Sequence, residues 1–303
     1  MRATLQRGHV MADQGYELAI GDLGYSSWSL RGWLVFHAFG IPVTTRRGRL
    51  YSDDFPRLMA QFAPARTAPA LRLPEGVVIA ESLAIAEELA SRHPAAGHWP
   101  ADPTARAVAR ALASEMHAGF TALRSHCPMN LRISYTGCEP PQAVLDDLAR
   151  LETIWAWARG ATGATGDWLC GPYSVADAFF APVAARIATY NLPVSPVASG
   201  YVAAHLAHPS FRVWRAMGLV DGADQPFYFR DYPVRPWPGP TPLPADAVEA
   251  GPSVNANCPY SGDPVTHFAD IGGRIWGFCN AFCRDKTVAD AEAWPAFMNI
   301  YHS

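Results

Sequence analysis

Two groups of residues in this 303-residue chain are placed to do chemistry. The first is the run Ser26-Ser27-Trp28-Ser29-Leu30-Arg31. It lies where an apolar segment, Tyr16 to Leu23, hands over through a polar turn to an amphipathic stretch ending at Gly40. At such a junction hydroxyls and free backbone N–H groups meet the positive end of a helix dipole, which stabilises an anion such as a thiolate. The same serines would equally serve as plain helix N-caps. The second group is Cys258, Cys279 and Cys283, half of the six cysteines, gathered in the final stretch of the chain. Cys279 and Cys283 are spaced to share one face of a helix turn, and Cys258 sits in a Pro/Gly turn, so three thiolates can converge. Such a set suits Zn²⁺ first and Cu(I) second. Three unrelated buried thiols are the alternative; a disulfide is a poorer one in a reducing compartment. For a fourth ligand His267 is the best residue type, Asp263, Asp270 and Asp285 are weaker, and an open position is a further choice.

Three shorter motifs accompany the serine run. Thr67-Ala68-Pro69-Ala70-Leu71 places a proline at a strand entrance, where a cis bond would expose the backbone of Ala68 for pairing with an extended, peptide-like ligand. Glu81-Ser82 opens a helix with an acid and a hydroxyl together, able to take the ammonium and carboxylate of a free amino-acid end, or simply to start a helix. In EMHAGFTALRSHCPMN, helical spacing puts His117, Phe120 and Arg124 on one face, with His117 either a substrate contact or a structural histidine.

The elements that must carry these residues read as two unlike halves and a tail. From Tyr16 the pattern is strand, loop, helix, a second strand at Ile41 to Arg46, a short helix at Asp53 to Phe62, strands at Ala70 to Leu73 and Val77 to Ala80, and a helix from Glu81 to Arg92. That order predicts a thioredoxin-like α/β domain over 16–93. Helical periodicity then takes over, at Thr104 to His126, Pro141 to Arg159, Val175 to Tyr190 and two shorter helices up to Met217, giving an all-helical domain over 103–220. Prolines recur over 221–252 (PVRPWPGPTPLP), the composition of an extended linker. The last unit, 253–303, reads as a zinc-ribbon-like β-hairpin and helix, too small to rely on its own apolar core and so in want of a metal staple.

Lys and Arg total 24 against 27 Asp and Glu, a net charge of −3. No field of that size steers a chain to nucleic acid or to an anionic membrane. Met1 to Gly15 holds no apolar run of signal-peptide length and reads as a loose tail, and no eighteen apolar residues occur together, so a cytoplasmic location is expected.

Taken in order, SSWSLR, TAPAL, ESLAI and the box Tyr173-Ser174-Val175-Ala176-Asp177 resemble the glutathione transferase family over about Tyr16 to Met217. The serine loop is similar to that of its zeta class and related bacterial enzymes. The resemblance implies a homodimer that binds glutathione and activates it as thiolate towards a small electrophile, for conjugation, isomerisation or reduction. It implies that Ser26 donates to the glutathione sulfur, with Ser27 the alternative. Arg66, Thr67, Ala68 and Pro69 would contact the peptide, and Glu81 with Ser82 the γ-glutamyl end. Zeta enzymes carry Cys where this chain has Trp28, which sets the zeta isomerisation apart. Asn257 to about Trp294 resembles the TRASH or YHS metal-binding modules, which implies zinc at Cys258, Cys279 and Cys283. A competing reading is a non-catalytic glutathione- and metal-binding protein for metal sensing or handling.

Overall fold

The computed structural model describes residues 15–303; the expected loose tail, apart from Gly15, lies outside the described residues. The first domain runs β1 (Glu17–Ile20), α1 (Ser27–His37), β2 (Thr44–Arg47), α2 (Asp54–Gln61), β3 (Ala70–Arg72), β4 (Val78–Ala80) and α3 (Ser82–Arg92). Its four strands form one sheet in the order β2-β1-β3-β4, with β1 and β2 parallel and the other pairs antiparallel. This is the thioredoxin-like order that the sequence predicts. The second strand starts later than expected, at Thr44. Pro42 has no N–H for a ladder, and the Ile41 N–H is taken by the Phe36 carbonyl at 3.0 Å.

Helix α1 is held down on both faces. Leu30, Leu34, Val35 and Phe36 are fully buried, and Gly32 faces Pro69, which a Cβ at position 32 would approach to 2.6 Å. Only glycine lets α1 lie directly on the Pro69 turn. That contact fixes the distance between the serine loop and the TAPAL segment.

The second domain holds α4 (Pro103–Ala118), α5 (Thr121–His126), β5 (Ser134–Tyr135), α6 (Gln142–Thr162), α7 (Val175–Tyr190), α8 (Pro196–Ala207) and α9 (Pro209–Leu219). The single helix expected over Thr104 to His126 is broken into α4 and α5. Gly119 is extended and Phe120 takes a left-handed φ of 59°, so the chain turns before resuming. Every residue of α7 is buried, which makes it the axis of the domain. Its start is the expected capping box: the Ser174 N–H donates to Asp177 Oδ2 at 3.0 Å, and Asp177 also accepts from Leu169 N and the Tyr201 hydroxyl.

The segment read as a linker is not a free spacer. Asp221 Oδ2 accepts from Leu23 N at 2.8 Å, a 3₁₀ turn spans Pro226–Tyr228, and β6 (Val234–Arg235) pairs with β5. Further on, β7 (Ala245–Val248) becomes the third strand of a sheet with β8 (His267–Ile271) and β9 (Arg274–Phe278), followed by α10 (Ala281–Ala289) and α11 (Pro295–Tyr301). Nor is the tail without a core. Ile271, Trp276, Phe278, Trp294 and Phe297 are buried in it, and large aromatic rings supply the area that few aliphatic residues could. The tail docks on α9 through a bidentate pair, Arg212 Nε and Nη2 to the two oxygens of Asp290 at 2.8 and 2.7 Å. Among the described residues no helix is long and apolar enough to cross a membrane.

Candidate functional site

A cavity of about 510 Å³ opens where the sheet domain, the helical domain and the 221–230 strap meet. Ser26, Ser27 and Trp28 line it from the start of α1, Thr67 and Ala68 from the turn before β3, and Arg124 and Arg186 from α5 and α7. Phe227 and Tyr228 of the strap close the outer side.

Ser26 is the N-cap of α1 and Ser27 its first residue. The Ser26 Oγ accepts from Ser29 N at 3.3 Å and lies 2.7 Å from the Ser29 hydroxyl, which itself accepts from Gly21 N at 2.9 Å. If Ser29 donates to Ser26, both lone pairs of Ser26 are occupied and its own proton is free to point into the cavity. Ser27 Oγ accepts from Arg186 Nη2 at 3.3 Å. Both serines thus face one cavity beside the first turn of an 11-residue helix, where an anion is favoured.

The Ala68–Pro69 bond is cis, as the sequence predicts; Ala63–Pro64 and Gly251–Pro252 are cis as well. Thr67 and Ala68 reach the cavity, whereas Pro69 is buried under α1 and Arg66 is exposed on the surface. Glu81 has φ 71°, an uncommon conformation outside glycine, which turns the chain sharply into α3. Beside it the Ser82 hydroxyl is fully buried and has no hydrogen-bond partner among the described residues. Neither Glu81 nor Ser82 lines the cavity itself.

His117 is placed differently from its expected role as a substrate contact. It does not line the cavity; its ring meets Trp28 edge-on at 5.2 Å, and its Nε2 lies 3.4 Å from Glu81 Oε2. Burial lowers its pKa against the opposing pull of Glu81. Its position behind Trp28 makes it a support for that ring.

Arg186 was not predicted by motif reasoning, yet it is central. It is the one charged residue in the middle of a helix buried all round, VADAFFAPVAARIATY, apart from the capping Asp177, and that isolation was the available signal. Only 4 % exposed, it donates to Cys127 O, Pro182 O and Ser27 Oγ. Burial, then the nearby Arg124, presses its pKa down to about 10. Phe227 and Tyr228 escaped prediction because their segment reads as a linker.

A second cluster lies in the tail. The sulfurs of Cys258, Cys279 and Cys283 are all within 4.8 Å of one another. Ser261 Oγ and Asn280 Nδ2 donate to the Cys279 sulfur at 3.3 and 3.2 Å. For Cys258, burial works against the thiolate, but backbone N–H groups of Tyr260, Cys279 and Ser261 outweigh it and lower the pKa. A soft donor set on a turn and a helix start, with N–H donors around it, fits a thiolate-bound ion. His267 is not part of the cluster, contrary to its expected role as fourth ligand. It sits in β8 opposite Phe278, with its Nδ1 engaged by Thr266 Oγ1 at 2.9 Å. The three weaker candidates do not join either, and Asp285 is paired with Arg284 at 2.7 Å.

Residues 25–92 match the family described as Glutathione S-transferase, N-terminal domain. Among solved structures, a glutathione transferase homolog from Burkholderia (BGR1) with bound glutathione is similar at 23% identity and a TM-score of 0.52, over 68% of this chain and 98% of that one. Glutathione transferase Omega 2S from Trametes versicolor is similar at 21% identity and a TM-score of 0.53, over 71% and 99% of the two chains. Omega 3C from the same organism gives 18% and 0.52, over 71% and 91%. No curated protein sequence matches the chain. Residues 25–92 therefore match the N-terminal domain of glutathione transferases, and about 70% of the chain shares the glutathione transferase fold.

Proposed function

We propose that the chain is a serine-type glutathione transferase, zeta-like in its loop, that binds glutathione across the TAPAL turn and activates it as a thiolate for a small electrophile. The observation that carries this reading is the Ser26 hydroxyl, held by Ser29 at the start of α1 and facing the interdomain cavity. In this reading Ser26 donates to the glutathione sulfur, with Ser27 the alternative, and lowers the thiol pKa through that bond and the helix dipole. The Ala68 backbone pairs with the peptide, Thr67 adds a polar contact, Pro69 sets the turn, and Arg66 stands near its outer end. In the same reading Glu81 and Ser82 hold the γ-glutamyl group; both lie outside the cavity lining, and the buried Ser82 hydroxyl has no partner among the described residues.

In the bond-forming step the thiol proton leaves to solvent and a sulfur lone pair forms the new C–S bond. In a displacement the leaving group departs with its bonding pair; in an addition the displaced π pair takes a proton from water. Isomerisation or reduction with glutathione would begin from the same thiolate. Titration calorimetry with glutathione tests the binding half, and turnover over a panel of electrophiles tests the rest. Failure to bind glutathione at millimolar concentration would sink the reading.

The sulfur cluster favours a second, separable activity: a TRASH/YHS-like module that holds Zn²⁺ on Cys258, Cys279 and Cys283. Bound there, zinc would clamp the Cys258 turn to the start of α10. Glutathione binding without turnover, together with stoichiometric metal, would favour a metal-handling role over an enzyme. A homodimer and a cytoplasmic location complete the proposal; sedimentation velocity tests the first and fractionation of cells the second.

A further inference from the structure

The cysteine cluster has a cation built against it. Lys286 lies on α10 one turn past Cys283 and is only 8 % exposed, a rare place for a lysine. Its Nζ stands 3.7 Å from the centroid of the Tyr260 ring, 3.9 Å from that of Trp294 and 5.7 Å from that of Phe282. Hydrogen bonds fix this aromatic cage. The Tyr260 hydroxyl lies 2.5 Å from Thr287 Oγ1, and Trp294 Nε1 donates to the Lys286 carbonyl at 3.1 Å. Tyr260 follows Cys258 by two residues and Phe282 precedes Cys283, so cage and sulfurs share the same turn and helix.

Among the described residues the ammonium pairs with no carboxylate: Asp285 is taken by Arg284, and Asp290 by Arg212. Contacts with ring faces offset only part of the cost of taking an ammonium out of water. The negative charge that this cation faces is that of the sulfurs. Burial presses its pKa down, and Cys283, Cys258 and Cys279 push it back up. Three thiolates around one divalent ion leave a single negative charge, which one ammonium cancels. Cys258 is 2 % exposed, so water has little access to do the same. With three neutral thiols, by contrast, the ammonium is the only charge of the group and its burial is uncompensated. An ammonium has no lone pair and cannot itself ligate a metal. We propose that Lys286 is the built-in counter-charge of the three-thiolate site, held in its aromatic cage to stabilise the bound ion without touching it as a ligand. The inference rests on the metal reading of the cluster and names the residue that sets its affinity.

The test compares the full-length wild type with Lys286→Met, which fills the cage without a charge, and Lys286→Arg, which keeps the charge. Zinc affinity is read by competition with a chromophoric chelator, and the metal-free proteins are followed by hydrogen exchange in β9 and α10. Lys286→Met should bind zinc about tenfold or more weakly, the size of one charge interaction near a protein surface, and Lys286→Arg should recover part of that loss. Metal-free Lys286→Met should exchange no faster than metal-free wild type, because an uncompensated buried cation has been removed. Equal zinc affinities of wild type and Lys286→Met would overturn the proposal. So would weaker zinc binding together with faster exchange in metal-free Lys286→Met, which would make Lys286 a packing residue only. If the wild type takes up no zinc, the metal reading falls and this inference with it; if only the Lys286 variants fail to differ, the metal reading stands.

Discussion

The hydroxyls of Ser26 and Ser29 stand 2.7 Å apart, and Ser29 is in turn fixed by the Gly21 N–H at the end of β1. Ser29 therefore decides which way the proton of Ser26 points, although it does not line the cavity. Ser26→Ala should lower turnover by roughly a hundredfold while changing glutathione affinity far less, because the hydroxyl acts on the reacting anion. Ser29→Ala should produce a milder copy of the same pattern, with the thiol of bound glutathione titrating at higher pH in both variants. Ultraviolet titration of the thiolate in the complex measures this. A full loss in Ser27→Ala with normal Ser26→Ala would place the reacting sulfur one residue along.

Ser82 offers a sharper separation of binding from stability. Its buried hydroxyl has no partner among the described residues, so Ser82→Ala should leave the melting temperature of the free protein unchanged or raised, by up to about 1–2 kcal/mol in stability. The same variant should weaken glutathione by about tenfold. Thermal melts with and without ligand give both numbers, and a destabilised free protein with normal affinity would refute the assignment.

Acid should unfold the chain through a histidine cluster far from the cavity. Burial first, and then His208, push His205 down to about 3; burial and then His37 push His208 down to about 4. Both sit below the ordinary value of about 6.5, so the unfolded chain takes up protons before the folded one. Their contribution to stability is intact above about pH 6.5 and is lost as pH falls towards 4, at up to roughly 1.4 kcal/mol per unit for each. Melting temperatures between pH 8 and pH 5 should show this fall, and His205→Leu should flatten it.

The sulfur cluster predicts close to one zinc ion per chain by elemental analysis of protein prepared without chelator. Cys279→Ser with Cys283→Ser should abolish that content. Because Trp276, Phe278 and Phe297 already pack a core in the tail, chelation should loosen it without erasing it. Faster proteolysis after the strap, with glutathione affinity within about twofold of the untreated protein, is the expected result. Unchanged metal content in the double variant would mean that the ion sits elsewhere.

Arg212→Ala should free the tail from α9. It strands Asp290, only 6 % exposed, without its bidentate partner, at a cost of about 1–3 kcal/mol. Hydrogen exchange should rise in α10 and leave α7 protected.

The sheet domain was legible because its strands and helices announce themselves by period, and its turn residues by type; Ser26, Thr67 and Ala68 all reach one cavity. What was not legible had non-local causes. Proline-rich composition over 221–252 hid strands that exist only because β5 and β8 supply partners for them. The break between α4 and α5 needed the backbone of Gly119 and Phe120, which a run of helix-formers conceals. His267 had the right residue type for a ligand and pairs with Phe278, next to Cys279, yet its ring does not join the three thiols. Arg124 and Arg186 come from two helices, and no spacing along the chain shows that they converge.

The stretch from Asp221 to Val248, which begins with the strap, gives the chain an unusual modularity. Within one continuous stretch it holds the serine loop through Leu23, walls the cavity with Phe227 and Tyr228, and ends as an edge strand of the cysteine-bearing unit. Any dissection that cuts at 220 leaves a transferase-like half with an open side, and any that begins at 253 leaves a tail missing a strand. Cut at either of those points, each half loses a structural part that this stretch supplies. A recombination event that joined them would have had to bring the strap along with one partner or build it afterwards.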